Sequence, residues 1–175
     1  GASMRTSPLP RLGRRAVAVL TTTPHRLGNL QLTLSSLAKQ THALDTIYLV
    51  LPRVFLRDWT WYESPFWYLL QEPLVNIIRC EQDFKPGTGL LCALQHEPDP
   101  DTYILVVDDD SAFHPMLVEG LLNESYKSPG AMIGSVSYDR PGVWCRAYDE
   151  HGVCVTPNLV HSTYGILFQR RFFDA

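Results

Sequence analysis

The chain has 175 residues, 45% of them hydrophobic, with 15 Lys and Arg against 18 Asp and Glu and a net charge of -3. That length and apolar content support one domain with its own core and exclude a disordered or fibrous chain. The slight acidic balance excludes a protein that coats nucleic acid, which needs a basic surplus, but leaves room for a small anionic ligand held by a few local groups and a cation.

Gly1-Ala2-Ser3 ahead of Met4 reads as an expression scar, so residues 1–15 are set aside as that scar plus an N-terminal extension. Residues 16–175 form the expected single domain. Ala16 to Thr22 is a short apolar, β-branched run with the look of a buried strand. Thr23-Pro24 then reads as a helix cap with proline in the first turn, and Leu27, Leu30, Leu34 and Leu37 recur at helical spacing. Thr46 to Leu51 is the second strand and Val75 to Cys80 the third, with an irregular or helical segment between them. A short helix is expected over 87–94, a fourth strand over 103–107, and a further helix from near Pro115. This alternation implies an α/β fold, an open and mostly parallel sheet covered on both faces.

Beyond residue 130 the texture changes. Residues 131–137, 142–147 and 153–156 are short strand candidates separated by turn residues, and Tyr164 to Phe168 is another, with a helix opening at Arg170. A smaller mixed-strand part therefore follows the parallel half. Cys80, Cys92, Cys145 and Cys154 form no CxxC pair, which argues against structural zinc. They are expected as buried free thiols, with Cys145 and Cys154 flanking a hairpin turn as the one pairing considered. No apolar run approaches the ~20 residues of a membrane-spanning helix. A cytoplasmic location is expected, with a secretory lumen as the alternative.

The most informative string is Tyr103-Ile-Leu-Val-Val-Asp-Asp-Asp-Ser111. Three adjacent carboxylates repel one another unless something cationic offsets them. They sit where an apolar strand ends, and ligands of open α/β sheets gather outside such carboxyl ends. Side chains alternate along a strand, so Asp108 and Asp110 point to one side and Asp109 to the other. Two hard oxygen ligands on one side suit Mg2+ or Mn2+, which keep other positions for water and phosphate oxygens. The competing reading is a solvated acidic loop that caps the next helix through Asp110 or Ser111. A phosphatase with its nucleophilic Asp after the first strand does not fit, because that strand ends in Thr21-Thr22-Thr23. A calcium-binding hand does not fit either, for want of acids spread through a glycine-containing loop.

These strings together resemble a glycosyltransferase of the GT-A type, a Rossmann-like fold with a nucleotide-binding half, a metal-binding Asp-x-Asp motif and an acceptor half. Leu20-Thr-Thr-Thr-Pro-His-Arg26 is similar to the family's loop after the first strand, which meets the nucleotide. Ser35, Leu37, Gln40 and Thr41 resemble its "SL..QT" stretch, and Asp83 with Lys85-Pro86-Gly87 its loop after the third strand. Val107 to Pro115 matches the Asp-x-Asp motif with its proline, and Tyr164-Gly165-Ile-Leu-Phe-Gln-Arg170 the strand bordering the acceptor pocket. The pattern is most similar to the small GT-A domains of algal-virus glycan-building enzymes. Two departures stand out: Tyr164 replaces a frequent second glycine, and His161 stands where an acidic base is common.

The resemblance implies a metal-dependent glycosyltransferase, hexosyl or pentosyl in type, that binds Mn2+ or Mg2+. It implies a nucleotide-sugar donor (UDP favoured) and a glycan or other hydroxyl acceptor. Asp110 would be the direct metal ligand, Asp108 a ribose contact or water-mediated ligand, and Asp109 a catalytic residue at the donor or a brace of the loop. Thr22, Pro24, Arg26, Asp83, Lys85 and Tyr164 would border the donor, Arg26 through phosphate and Asp83 through base or ribose. Arg26, Lys85 and Asp83 equally suit ordinary loop roles. His161 would be the base towards the acceptor hydroxyl, a metal ligand or a structural histidine, with Asp149 and Glu150 as other candidate bases. Tyr164 or Trp144 could stack on sugar rings. The aromatic run of Trp59, Trp61, Tyr62, Phe66, Trp67 and Tyr68 reads first as a segment pinned to the sheet by its rings. Two other functions compete: a non-catalytic carbohydrate- or nucleotide-binding module, and a nucleotidyltransferase. The latter usually wants a glycine- and lysine-rich loop after the first strand.

Overall fold

A computed structural model describes residues 13–62, 69, 71–135, 144–145 and 165–174. The parallel half is built from β1 (Ala16–Thr21), β2 (Thr46–Pro52), β5 (Val75–Cys80) and β6 (Tyr103–Val106). An antiparallel extension adds β7 (Ile133–Ser135), β8 (Trp144–Cys145) and β9 (Ile166–Gln169). The sheet order is β5-β2-β1-β6-β9-β7-β8. β1 pairs in parallel with both β2 and β6, while β9 runs antiparallel to β6. The α/β class and the mixed-strand second part are as the sequence predicts.

β1 is central because its residues are apolar on both faces. Ala16, Ala18 and Leu20 enter one core with α1 (Gln31–Ala38) and α3 (Leu117–Lys127). Val17 and Val19 enter the other with α2 (Thr88–Ala93). Each set is the alternate side of one strand, which is the two-residue period of β structure. Gly165 opens β9 with φ 104°, a left-handed value, and a Cβ there would lie 3.0 Å from Leu105 Cδ1. Glycine meets both demands at once.

Three expectations change. The turn after β1 is a 3₁₀ helix over Pro24–Asn29, with α1 beginning only at Gln31. Gly28 and Asn29 are weak helix formers, and Thr23 makes no side-chain cap. The segment after β2 holds a small hairpin of β3 (Val54–Phe55) and β4 (Thr60–Trp61). Third, Cys80 and Cys92 are joined in a disulfide, not free. The end of β5 lies under α2 with a Cα–Cα separation of 6.2 Å, inside the range a disulfide spans. The strand candidate over 153–156 lies outside the described residues.

At the amino end of the sheet one buried carboxylate ties the layers together. Glu97 is 2% exposed and accepts bonds from Arg15 Nη2 at 2.8 Å and Tyr48 Oη at 2.6 Å. Burial alone would push the Glu97 carboxyl up, but the Arg15 and Tyr48 hydrogen bonds outweigh it and hold it below the usual range. A lowered folded-state value means the stabilisation is complete above the ordinary glutamate pKa of about 4.3 and is lost as pH falls through and below it. Glu97→Ala removes the acceptor of Tyr48 and the partner of Arg15, whose side chain is 38% exposed and can turn to water. It should cost about 1–3 kcal/mol in urea denaturation at pH 7, with the gap to wild type narrowing towards pH 3.

Candidate active site

In the strand order, β2 and β5 lie to one side of β1 and β6 to the other. The chain reverses direction across the sheet between β1 and β6, which opens a crevice beyond their carboxyl ends. The loop after β1 (residues 22–26) and the acidic triplet after β6 meet there. The Val107 N–H to Val19 carbonyl bond, 3.0 Å, extends the pairing to the last residue before the acids.

The three aspartates have separate fates. Asp109 turns inward and is 9% exposed. Its Oδ2 accepts a 2.5 Å bond from Thr22 Oγ1, and its Oδ1 accepts Arg26 Nη1 at 2.8 Å. Tyr62, also buried, donates its hydroxyl to the Thr22 carbonyl at 2.6 Å. Asp110 turns outward with its side chain 51% exposed, and its Oδ2 lies 3.2 Å from the same Arg26 Nη1. Asp108 lies on the cavity wall. The strict alternation expected from the sequence does not describe the triplet, since Asp109 and Asp110 both reach Arg26 Nη1 and all three acids line one cavity. The strand ends at Val106 and its two-residue period ends with it, leaving the middle carboxylate buried as a brace. Its hydrogen bond to Asp109 raises the Arg26 guanidinium above its already high value.

The crevice is a cavity of about 950 Å³. Thr22, Arg26, Asp83, Lys85, Asp108, Asp109 and Asp110 all line it. So do Tyr62 and the hairpin residues Phe55, Leu56, Arg57 and Asp58. Pro24 sets the 3₁₀ turn but is not among the lining residues. A smaller cavity of about 380 Å³, lined by Asp45, Thr46 and Leu74 among others, lies at the opposite strand ends and gathers far fewer charged groups.

Asp83 and Lys85 form the far wall. Asp83 Oδ2 accepts the Leu56 N–H at 2.9 Å, and Oδ1 accepts the Lys85 N–H at 2.7 Å and the Thr88 hydroxyl at 2.9 Å. Burial opposes ionisation here, but those donors and the Lys85 charge hold the carboxyl below its usual range. Asp83 thus anchors the hairpin to the start of α2. Lys85 is held in left-handed backbone, φ 59°, a strained conformation for a residue with a side chain. His161, Tyr164, Asp149 and Glu150 lie outside the described residues, and Trp144 is placed only as part of β8.

Acceptors and donors on α1 and just after it complete the site. Thr33 Oγ1 lies 3.0 Å from the Asp109 carbonyl and 2.9 Å from that of Ser111. Ser36 Oγ accepts the Phe113 N–H, while Gln40 donates to the His114 carbonyl and accepts the Val118 N–H. Sequence reading missed Thr33, Ser36 and Tyr62 as site residues. The first two were concealed as polar positions on an apolar helix, and Tyr62 was merged into an aromatic run.

Among the described residues, no cluster of three or more His, Cys, Asp or Glu side chains is arranged to hold a metal ion. A closed all-protein site is thereby excluded for that part of the chain. Asp108 and the half-exposed Asp110, both on the cavity wall, are the hard oxygen ligands this site offers a cation.

The sequence model of Glycosyl transferase family 2 matches residues 19–151, and the chain belongs to that family. The fold is similar to that of the 2-C-methyl-D-erythritol 4-phosphate cytidylyltransferase of Francisella tularensis. The TM-score is 0.50 at 12% identity, over 90% of this chain and 73% of that one. Comparison with curated proteins returns no match. The protein is thus a GT-A type domain of the glycosyltransferase class.

If Asp109 is the brace, Asp109→Ala should cost about 2–3 kcal/mol in chemical denaturation, because it strands a buried hydroxyl and a guanidinium. Asp108→Ala should move stability by less than about 0.5 kcal/mol. Equal losses for the two would show that the acids share one role.

Proposed function

We propose that the protein transfers a sugar from a nucleotide-diphosphate donor, with UDP favoured, to a hydroxyl acceptor in a reaction that depends on Mn2+ or Mg2+. The observation that supports this most is the split of the triplet. One carboxylate is consumed in holding the loop, which leaves Asp108 and Asp110 facing a nucleotide-sized cavity at the switch point.

In this reading Asp110 binds the cation directly and Asp108 meets ribose or a metal-bound water. The cation neutralises charge that grows on the departing diphosphate. Arg26 and Lys85 bring further positive charge to the phosphate end. The hairpin and the Asp83 carboxylate shape the base end. His161 serves as the proton acceptor for the incoming hydroxyl, since neutral imidazole is basic enough near pH 7.

Two experiments test the parts. Calorimetric titration of UDP should show much tighter binding with Mn2+ than with chelator, and Asp110→Asn should abolish that difference while melting stays close to wild type. Metal-independent binding of UDP would refute the cation's role. His161→Ala should leave nucleotide affinity intact and slow sugar transfer by about 10²–10⁴-fold. Loss of affinity in that variant would instead assign His161 to the metal. Release of pyrophosphate from a nucleoside triphosphate and a sugar phosphate, without transfer from nucleotide sugars, would favour a nucleotidyltransferase. Nucleotide binding without turnover of any sugar nucleotide would favour a binding module.

A further inference from the structure

Arg26 binds the wrong partner for a residue whose only task is to hold phosphate. Its Nη1 lies 2.8 Å from Asp109 Oδ1 and 3.2 Å from Asp110 Oδ2, so one nitrogen bridges two carboxylates. The two contacts are unequal. The Asp109 side chain is 8% exposed and braced by Thr22, whereas that of Asp110 is 51% exposed. The shorter, drier bond is the one that holds; the longer bond to the solvated carboxylate is the one that yields.

Asp110 is also the carboxylate proposed to bind the divalent cation, and the role of Arg26 rests on that reading. A hard cation sits about 2.0–2.2 Å from a carboxylate oxygen. A guanidinium already 3.2 Å from Oδ2 would repel it at close range. We infer that Arg26 is the resident counter-ion of the Asp110 carboxylate and competes with the divalent cation for it. The cation then enters together with the diphosphate, because the phosphate gives Arg26 a new partner as Asp110 is surrendered. A guanidinium carries five N–H donors in a rigid fork that matches phosphate oxygens. Arg26 can therefore keep Nη1 on Asp109 and turn the rest of the fork to the donor. Arg26 lines the cavity with its side chain half exposed, so the rest of the fork faces the space a donor would fill.

This predicts effects of opposite sign from one substitution. With MnCl2 alone, Arg26→Ala should bind the ion about tenfold more tightly than wild type, read by calorimetry or by the spin-resonance signal of free Mn2+. With UDP and saturating Mn2+, the same variant should bind the nucleotide about tenfold more weakly. Arg26→Lys keeps the charge but not the fork. It should retain wild-type Mn2+ affinity, lose part of the UDP affinity, and serve where the alanine variant melts too low to titrate. No gain in Mn2+ affinity for Arg26→Ala, or unchanged UDP affinity in both variants, overturns the inference. Failure of the underlying reading looks different, because wild-type UDP binding would then be indifferent to Mn2+.

Discussion

A single buried carboxylate holds the two halves of the crevice together. Asp109 joins the loop after β1, through Thr22 and Arg26, to the end of β6. An ionised group at 9% exposure is tolerated only when its oxygens are met by donors. Here a hydroxyl and a guanidinium meet one oxygen each. Because both partners come from one short loop, the loop cannot move without exposing or stranding the charge. The position of Arg26, and with it the contact to the exposed Asp110, follows from that constraint.

The second support is polar and comes from α1. Its apolar face packs on the sheet through Leu34 and Leu37, as helical spacing requires. Its polar positions and the residues just after it reach the acidic loop, with Thr33 on residues 109 and 111, Ser36 on 113, and Gln40 on 114 and 118. Thr41 adds its N–H to the Pro115 carbonyl at 2.8 Å. A loop leaving a buried strand carries backbone groups that the sheet no longer satisfies. These side chains satisfy them, which explains why a Ser-Leu-x-x-Gln-Thr-like stretch sits far in sequence from the acids it steadies.

The parallel core was legible because its strands are continuous apolar runs and its helices show a clean period. The acids were legible because three adjacent carboxylates at a strand end have few inexpensive explanations. What stayed hidden depends on partners distant in sequence. Nothing near Asp83 announces that Leu56, 27 residues earlier, would donate to it. The Cys80–Cys92 bond was concealed because its spacing suits no metal motif and becomes meaningful only once α2 lies on β5. An arginine near a nucleotide loop suggests a phosphate ligand, which is all the sequence says of Arg26. Its bridge to two aspartates required knowing that β1 and β6 are neighbours.

The hairpin wall and the acidic wall of the cavity form one connected structure. Tyr62 donates to Thr22, Thr22 donates to Asp109, and Asp109 holds Arg26. From the same hairpin region, Leu56 reaches Asp83 and Asp58 lies 3.3 Å from His25. Burial, with the Asp83 and Asp109 charges nearby, raises the Tyr62 phenol above its ordinary value and keeps its proton in place to donate. Movement of the hairpin therefore bears, through three hydrogen bonds, on the arginine that bridges Asp109 and Asp110. Such a chain couples the hairpin to the acidic loop, since each bond would be left unsatisfied if the next one moved.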